Sequence, residues 1–260
     1  MRKPNLIFLF IMIIGSIFPI FAQDDKVDNI TFEEAPVITE RPTYFGIGLG
    51  YLGTFIFPSY ADLNTKIKTD FSANPLTTIP QYKNPVYLSG AHGFTGIGII
   101  PNIRVGFFGY SGTNSVTKAN LDTTTGSSIK IGMTGLSIDY GIVLFKSFAI
   151  LPGVSFGLAT VDLEFYKANS SYNWGDVTDP PKQGGYMQRM EGSFYFVQPN
   201  VNFEYAVKPY LMIRGDIGYS LSFSPTWKYN TNATLNNVPS GINSSGLTLQ
   251  LGVFVGLFNF

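Results

Sequence analysis

The chain has 260 residues and no formal net charge, and 13% of its residues are charged, 45% hydrophobic and 15% aromatic. Soluble domains carry about 25% charged residues, so this composition is typical of a chain whose outer surface largely avoids water. The neutral balance gives no reason to expect nucleic acid as a partner. The absence of cysteine excludes disulfides, thiolate metal sites and a cysteine nucleophile. We expect neither a cofactor nor a metal.

The first 22 residues have the order of a secretory signal peptide. Arg2 and Lys3 precede an apolar run over 6–21, and Ala22 then meets a polar stretch. This predicts export with cleavage after Ala22, the alternative being an uncleaved membrane anchor. The acidic segment 23–42 is short of large apolar groups and is predicted to be a flexible periplasmic lead-in, or else a plug or docking peptide.

From Thr43 onward the hydrophobic pattern has a period of two. The first such stretch alternates large apolar residues with glycine: Phe45, Ile47, Leu49 and Tyr51 against Gly46, Gly48 and Gly50. Since successive strand side chains point to opposite faces, this predicts a strand with one apolar and one nearly bare face. Glycines on one face favour a narrow, strongly curved sheet.

The pattern recurs along the rest of the chain and predicts an all-β fold. The predicted strands are 43–57, 89–100, 103–110, 128–145, 148–165, 191–206, 210–223 and 245–258. The links alternate between short (101–102, 146–147, 207–209) and long (58–88, 111–127, 166–190, 224–244). Antiparallel strands joined in this way put every tight turn at one end. We therefore predict that 43–260 forms a closed antiparallel transmembrane β-barrel of about eight strands, alternatively ten, with four long extracellular loops.

Two of the predicted strands change character midway. In 128–145 and 148–165, the positions that are apolar in one half carry polar residues in the other. Either a β-bulge in each strand or a water-exposed extension above the membrane would explain the change.

The polar faces of these strands are predicted to line the lumen. An eight-stranded barrel has an interior just wide enough for side chains to fill, and charges inside it must pair or be hydrated. The predicted lumen ionic network comprises Arg104, Asp139, Glu204, Arg214 and Asp216, with Gln198, Asn200 and Asn202 as further polar lumen residues. We read it as a structural network that fills the lumen, or as a gate whose ion pairs exchange partners.

The chain ends on an apolar run with Phe254, Phe258 and Phe260 at alternate positions. This resembles the C-terminal signal that the barrel-assembly machinery reads in outer-membrane barrels. Thr248 and Gln250 indicate that their face is the lumen, which would put Phe254 inside. In strand count and topology the chain resembles the small outer-membrane barrels of the OmpA/OmpX type, which implies a fold and a location but no single activity.

Two features carry weaker functional hypotheses. His92, the single histidine, is near Ser89 and Ser59 in sequence, and some barrels are lipid-modifying enzymes that use a histidine. We expect His92 to be structural instead, and the protein not to be an enzyme. The predicted loop 166–190 contains Tyr172 and Trp174, which are candidates for binding an extracellular ligand or protein.

Together these observations predict a bacterial outer-membrane barrel with a structural or loop-mediated binding role and a side-chain-filled lumen. The alternatives are a narrow gated channel for ions or small solutes and a lipid-modifying barrel enzyme. The expected partners are outer-membrane lipid, lipopolysaccharide and the assembly machinery. The oligomeric state stays open.

Overall fold

A computed structural model describes residues 43–70, 79–119, 121, 123–169, 186–230, 232–239 and 241–260. The predicted signal peptide 1–22, the lead-in 23–42 and the loop residues Tyr172 and Trp174 lie outside these ranges. In the part of the chain that is described, no helix is long and apolar enough to cross a membrane.

The described residues are mostly strand. The strands are β1 (Phe45–Pro58), β2 (Val86–Gly96), β3 (Ile103–Ala119), β4 (Thr123–Tyr140), β5 (Ile142–Phe145), β6 (Phe148–Asn169), β7 (Tyr186–Lys208), β8 (Leu211–Tyr229), β9 (Ala233–Thr234) and β10 (Gly246–Asn259). One helix, α1 (Ala61–Asp70), follows β1.

Eight of these strands form a closed antiparallel ring in the order β1-β2-β3-β4-β6-β7-β8-β10. The ring closes because β1 pairs with β10 along its whole length, from Phe45 opposite Asn259 to Pro58 opposite Gly246. The short β5 continues β4 and pairs with β6, and the two-residue β9 adds to β8. The predicted closed barrel is confirmed with eight strands in its ring. Closure leaves no edge whose backbone groups would be unpaired in hydrocarbon.

The tight turns gather at one end of the barrel, which we call the turn end. They cover 97–102, 146–147 and 209–210. The backbone N–H of Ser147 donates to the carbonyl of Phe260 (2.9 Å), and that of Tyr44 donates to Asn102 Oδ1 (2.7 Å). Both turn residues, Asn102 and Ser147, have positive φ, 66° and 70°. The opposite end, at which β1 connects to β2, β3 to β4, β6 to β7 and β8 to β10, we call the loop end.

Several strands run farther toward the loop end than predicted. The predicted link 111–127 is mostly strand, because β3 and β4 stay paired up to Ala119 opposite Thr124. The segment is rich in Ser, Thr and Gly and lacks a strong apolar alternation, so its pairing is visible only with the neighbouring strand in place. β6 and β7 have 22 and 23 residues, about twice the 9–11 that cross a bilayer. These extensions form a wall beyond the membrane-crossing part.

The outer surface changes from apolar to charged along this wall. The cross-strand row Leu158, Tyr195 and Phe223 is apolar and exposed. The following outward rows are Gly132, Thr160, Ser193 and Thr226, and then Lys130, Asp162, Glu191 and Lys228. Arg189 forms ion pairs here with Asp162 (3.5 Å) and Glu191 (3.0 Å). The transition is where a lipid-facing belt gives way to water.

The inner surface changes in the opposite sense. Near the turn end it carries polar residues such as Ser137 and Asp139, whereas Ile129, Ile131 and Met133 of the same strand are buried nearer the loop end. The register of β4 against β3 and β6 is continuous, so the explanation is an extension above the membrane and not a bulge. β6 also keeps a continuous register with both neighbouring strands, and its inward residues are likewise apolar nearer the loop end. A register shift that does exchange the two faces lies in β8, near Ser224 (φ 52°), and beyond it Trp227 points inward.

The inward apolar residues of the wall form the largest hydrophobic core. Leu63 and Ile67 of α1 pack into it together with Val161, Leu163 and Trp227. Asn64 exchanges hydrogen bonds with the backbone of Tyr82, and the Tyr82 hydroxyl bonds Ser127. The loop end therefore has the apolar inside and polar outside of a water-soluble barrel, on top of a membrane barrel with the reverse pattern.

Candidate functional site

The main polar feature of the lumen is a buried charge cluster formed by Arg104, Asp139, Glu204 and Arg214. The register sets two ion pairs directly across neighbouring strands, Arg104 opposite Asp139 and Glu204 opposite Arg214. Arg104 Nη2 lies 2.7 Å from Asp139 Oδ2, and Arg214 Nε lies 2.7 Å from Glu204 Oε1. All four residues are at most 2% exposed.

A third contact joins the two pairs across the lumen. Arg104 Nη1 donates to Glu204 Oε1, so this carboxylate bridges both guanidinium groups. The Tyr44 hydroxyl donates to Glu204 Oε2 (2.7 Å) and accepts from Arg104 Nη1 (3.1 Å). Sequence reasoning missed Tyr44, although its even number matches the inward parity of β1.

His92 lies inside the lumen and completes the cluster. Arg214 Nη1 donates to His92 Nδ1 (2.9 Å), and Ser137 Oγ is 3.4 Å from Nε2. Because a guanidinium N–H can only donate, Nδ1 accepts and the imidazole is neutral with its proton on Nε2. The alternation of inward and outward residues could have predicted this position, because His92 has the same even parity as the inward residues Leu88 and Phe94 of β2.

The guanidinium groups also rest against aromatic rings. The Arg104 guanidinium carbon lies 4.4 Å from the Phe94 ring centroid, and that of Arg214 lies 4.5 Å from Phe94 and 4.0 Å from Phe254. Ring faces attract cations. Arg214 Nη2 has no hydrogen-bond partner among the described residues. It is part of the guanidinium group that lies over the Phe254 ring.

The other predicted lumen residues line a small polar cavity beside the cluster. Asp216 is 3% exposed and accepts from Asn200 Nδ2 (2.7 Å), but it makes no ion pair within the described ranges. Asn202 donates to Asp139 Oδ1 (3.1 Å) and to the Leu151 carbonyl (3.3 Å). Gln198, Asn200, Asn202 and Asp216 all border the cavity, whose volume is about 10 Å³.

Two glycines make room for the cluster. A Cβ on Gly106 would collide with His92 Nε2 and with Ser137 Oγ (2.6 Å). A Cβ on Gly153 would collide with Asp139 Oδ1. The lumen is therefore so closely packed that a single added methyl group would displace a charged side chain.

The C-terminal phenylalanines lie at the turn end, with Phe254 and Phe258 pointing inward. Phe254 is fully buried and Phe258 is 6% exposed, so both help to fill the lumen below the charges. The Phe260 ring stacks on Tyr44, with ring centroids 4.9 Å apart. Whether these residues also act as an assembly signal stays a prediction.

A second cavity of about 240 Å³ lies at the loop end. It lies between α1, the wall and the residues 235–239 and Ile242. Its lining is mainly apolar and includes Leu63, Ile67, Leu163, Trp227 and Ile242, while Asn236 and Asn237 are exposed at its rim. Sequence reasoning did not identify it, because the lining comes from five separate parts of the chain.

The serines near His92 in sequence do not join it in space. Ser89 lies an odd number of residues from His92 on β2 and faces outward, and Ser59 is exposed beyond β1. The hydrogen bonds of His92 go to Arg214 and Ser137 instead. The described residues also contain no group of three acidic or histidine side chains able to hold a metal ion.

A closed eight-stranded ring, an outward apolar belt and a side-chain-filled lumen define a small transmembrane β-barrel of the outer-membrane type. The chain matches no protein-family model and no curated protein sequence.

Among solved structures, it is similar to a major outer membrane protein from Thermus thermophilus (10% identity, 82% of this chain and 99% of that one, TM-score 0.42). It is also similar to Ail, the attachment invasion locus protein of Yersinia pestis (10%, 84% and 99%, 0.35), and to Acinetobacter baumannii CarO2 (9%, 81% and 99%, 0.37). Similarity at this level carries no information about activity.

Proposed function

We propose that the protein is a non-conducting outer-membrane barrel whose working surface is the loop end. The observation that carries this proposal is the filled lumen. Arg104, Glu204 and Arg214 are linked across the lumen, with Phe94 and Phe254 packed on the guanidinium groups. Opening a path would require breaking buried ion pairs, which costs about 3–5 kcal/mol for each charge left alone.

We infer that the loop end faces the outside of the cell and the turn end faces the periplasm. In outer-membrane barrels short turns are periplasmic and long loops extracellular. The apolar belt with exposed Leu49, Ile138 and Ile217 suits lipid, and the charged rows above it suit water or lipid headgroups.

We infer that the loop-end cavity binds a small apolar group of a ligand. Its volume of about 240 Å³ is close to the lower limit of about 300 Å³ for small-molecule pockets. Trp227 and Leu63 supply apolar contacts, and Asn236 and Asn237 at the rim can bond a polar end. The extended wall holds this cavity away from the membrane, where a ligand in water can reach it.

Single-channel recording in a planar bilayer tests the closed lumen. The refolded wild-type barrel is expected to give no discrete conductance steps, after a heat-dependent gel shift has shown that it is folded. Steps that change in Arg214→Ala would contradict the proposal and support a gated channel.

Fluorescence of Trp227 tests the cavity. Trp174 is the other of the two tryptophans, so a Trp174→Phe background reports Trp227 alone. Titration with 4-bromophenol is expected to quench this fluorescence with saturation, because bromine reaches the indole only inside the cavity. The variant Ile67→Trp, made in the Trp174→Phe background, should fill the cavity with the larger side chain. Its fluorescence is compared with that of the same variant without 4-bromophenol, and we expect its quenching to show no saturation. Linear quenching in both proteins would exclude a binding cavity.

A further inference from the structure

The lumen carries one more buried negative charge than positive charge among its described residues. Arg104 and Arg214 are positive, whereas Asp139, Glu204 and Asp216 are negative, and all five are at most 3% exposed. His92 accepts a hydrogen bond at Nδ1 and contributes no charge. The two arginines are engaged by Asp139 and Glu204. Asp216, which has no ion-pair partner among the described residues, therefore holds the surplus charge when its carboxyl group is ionised.

Three of the residues that line the cavity, Asp216 among them, each carry a buried acceptor oxygen that has no hydrogen-bond partner among the described residues. These oxygens are Asp216 Oδ1, Asn200 Oδ1 and Gln198 Oε1. All three residues line the same cavity, and Gln198 is only 2% exposed. Gly218, opposite Asn200 on β8, keeps this space open, because a Cβ there would lie 3.0 Å from Gln198 and Thr248 side-chain atoms. Buried acceptors without partners are rare in folded proteins.

We propose that this cavity binds one alkali cation, Na⁺ or K⁺, through Asp216, Asn200 and Gln198. One positive charge neutralises the surplus carboxylate, and carboxylate and amide oxygens are the ligands that hard cations take. The volume of about 10 Å³ has room for one particle of the size of water. Asp216 supplies the single carboxylate of the three, which favours a monovalent over a divalent ion.

The lumen arginines do not meet this need. Arg214 is held away by its bonds to Glu204 and His92 and by its contact with Phe254. A water molecule would supply two protons but leave the charge uncompensated. A proton on Asp216 would remove the charge but supply one donor for three acceptors.

The test is the stability of the full-length refolded barrel in a zwitterionic detergent at constant pH and ionic strength. Urea unfolding is compared in NaCl, KCl and choline chloride, since choline is too large for the cavity. For one site in the folded state alone, each tenfold rise in cation concentration above Kd raises the folding equilibrium constant tenfold. We expect this dependence for Na⁺ or K⁺ and none for choline.

Asp216→Asn is expected to lose the alkali dependence. Asp162→Asn, which alters a carboxylate on the outer wall, is the matched control and should keep it. Equal wild-type stability in alkali and choline salts would overturn the proposal, whether or not the variant folds. A wild-type stability that follows pH through Asp216 but ignores the cation would also overturn it, by assigning the neutralisation to a proton.

Discussion

Replacing Glu204 with glutamine removes the carboxylate that holds both lumen arginines. Glu204 is fully buried and accepts from Arg104 Nη1, Arg214 Nε (2.7 Å) and the Tyr44 hydroxyl (2.7 Å). Glutamine fills the same volume but leaves Arg214 without an ion-pair partner. Breaking a buried pair from one side costs about 3–5 kcal/mol, which lowers the folding equilibrium constant by roughly 100- to 4,000-fold.

The matched control is Glu164→Gln on the outer wall. Glu164 lies 3.7 Å from Arg189, and the two side chains are 27% and 44% exposed. Such a pair contributes at most about 1 kcal/mol. The free energy of unfolding of both variants would be measured by urea titration in micelles, with tryptophan fluorescence as the signal. If the two variants differed by less than about 1 kcal/mol, the cluster would be hydrated and the argument for a closed lumen would fail.

Three further predictions concern packing and titration. Phe254→Ala should destabilise the barrel by about 3–5 kcal/mol in the same urea assay, because it empties a fully buried site. Gly153→Ala should cost about 1–3 kcal/mol through its collision with Asp139, whereas Gly98→Ala, with no atom within 4 Å of the new Cβ, should cost far less. Burial at the loop end raises the pKa of Tyr60 from 10.0 to about 12. The folded state thus favours the neutral phenol, and its contribution to stability should be lost between pH 10 and 12. The difference in absorbance at 295 nm between wild type and Tyr60→Phe would measure this titration.

The sequence by itself determined the barrel fold and, for most strands, which face lines the lumen. A period of two assigns each side chain to one of two faces, and β7 shows this for Gln198, Asn200, Asn202 and Glu204, which all line the lumen. The alternation of short and long links set the antiparallel order and the count of eight. These features are local, since each depends on residues close together in the chain.

Only the tertiary structure decided where the strands end and what the lumen residues contact. Most of the Ser-, Thr- and Gly-rich segment 111–127 becomes strand, because β3 and β4 pair with each other within it. The ion pair between Arg104 and Glu204 joins residues 100 positions apart across the lumen. Tyr44 and His92 enter the cluster through the same closure of the ring.

The inversion of polarity along β4 and β6 has the same origin. Whether a side chain points inward or outward follows from its odd or even position in the strand. Whether an outward side chain contacts lipid or water depends on its position along the barrel axis, which the linear pattern does not encode. Lys130 is outward and polar above the belt, whereas Leu136 is outward and apolar within it. Solvent and lipid select opposite residues for one face, so the boundary becomes visible only when the strands are aligned in the closed ring.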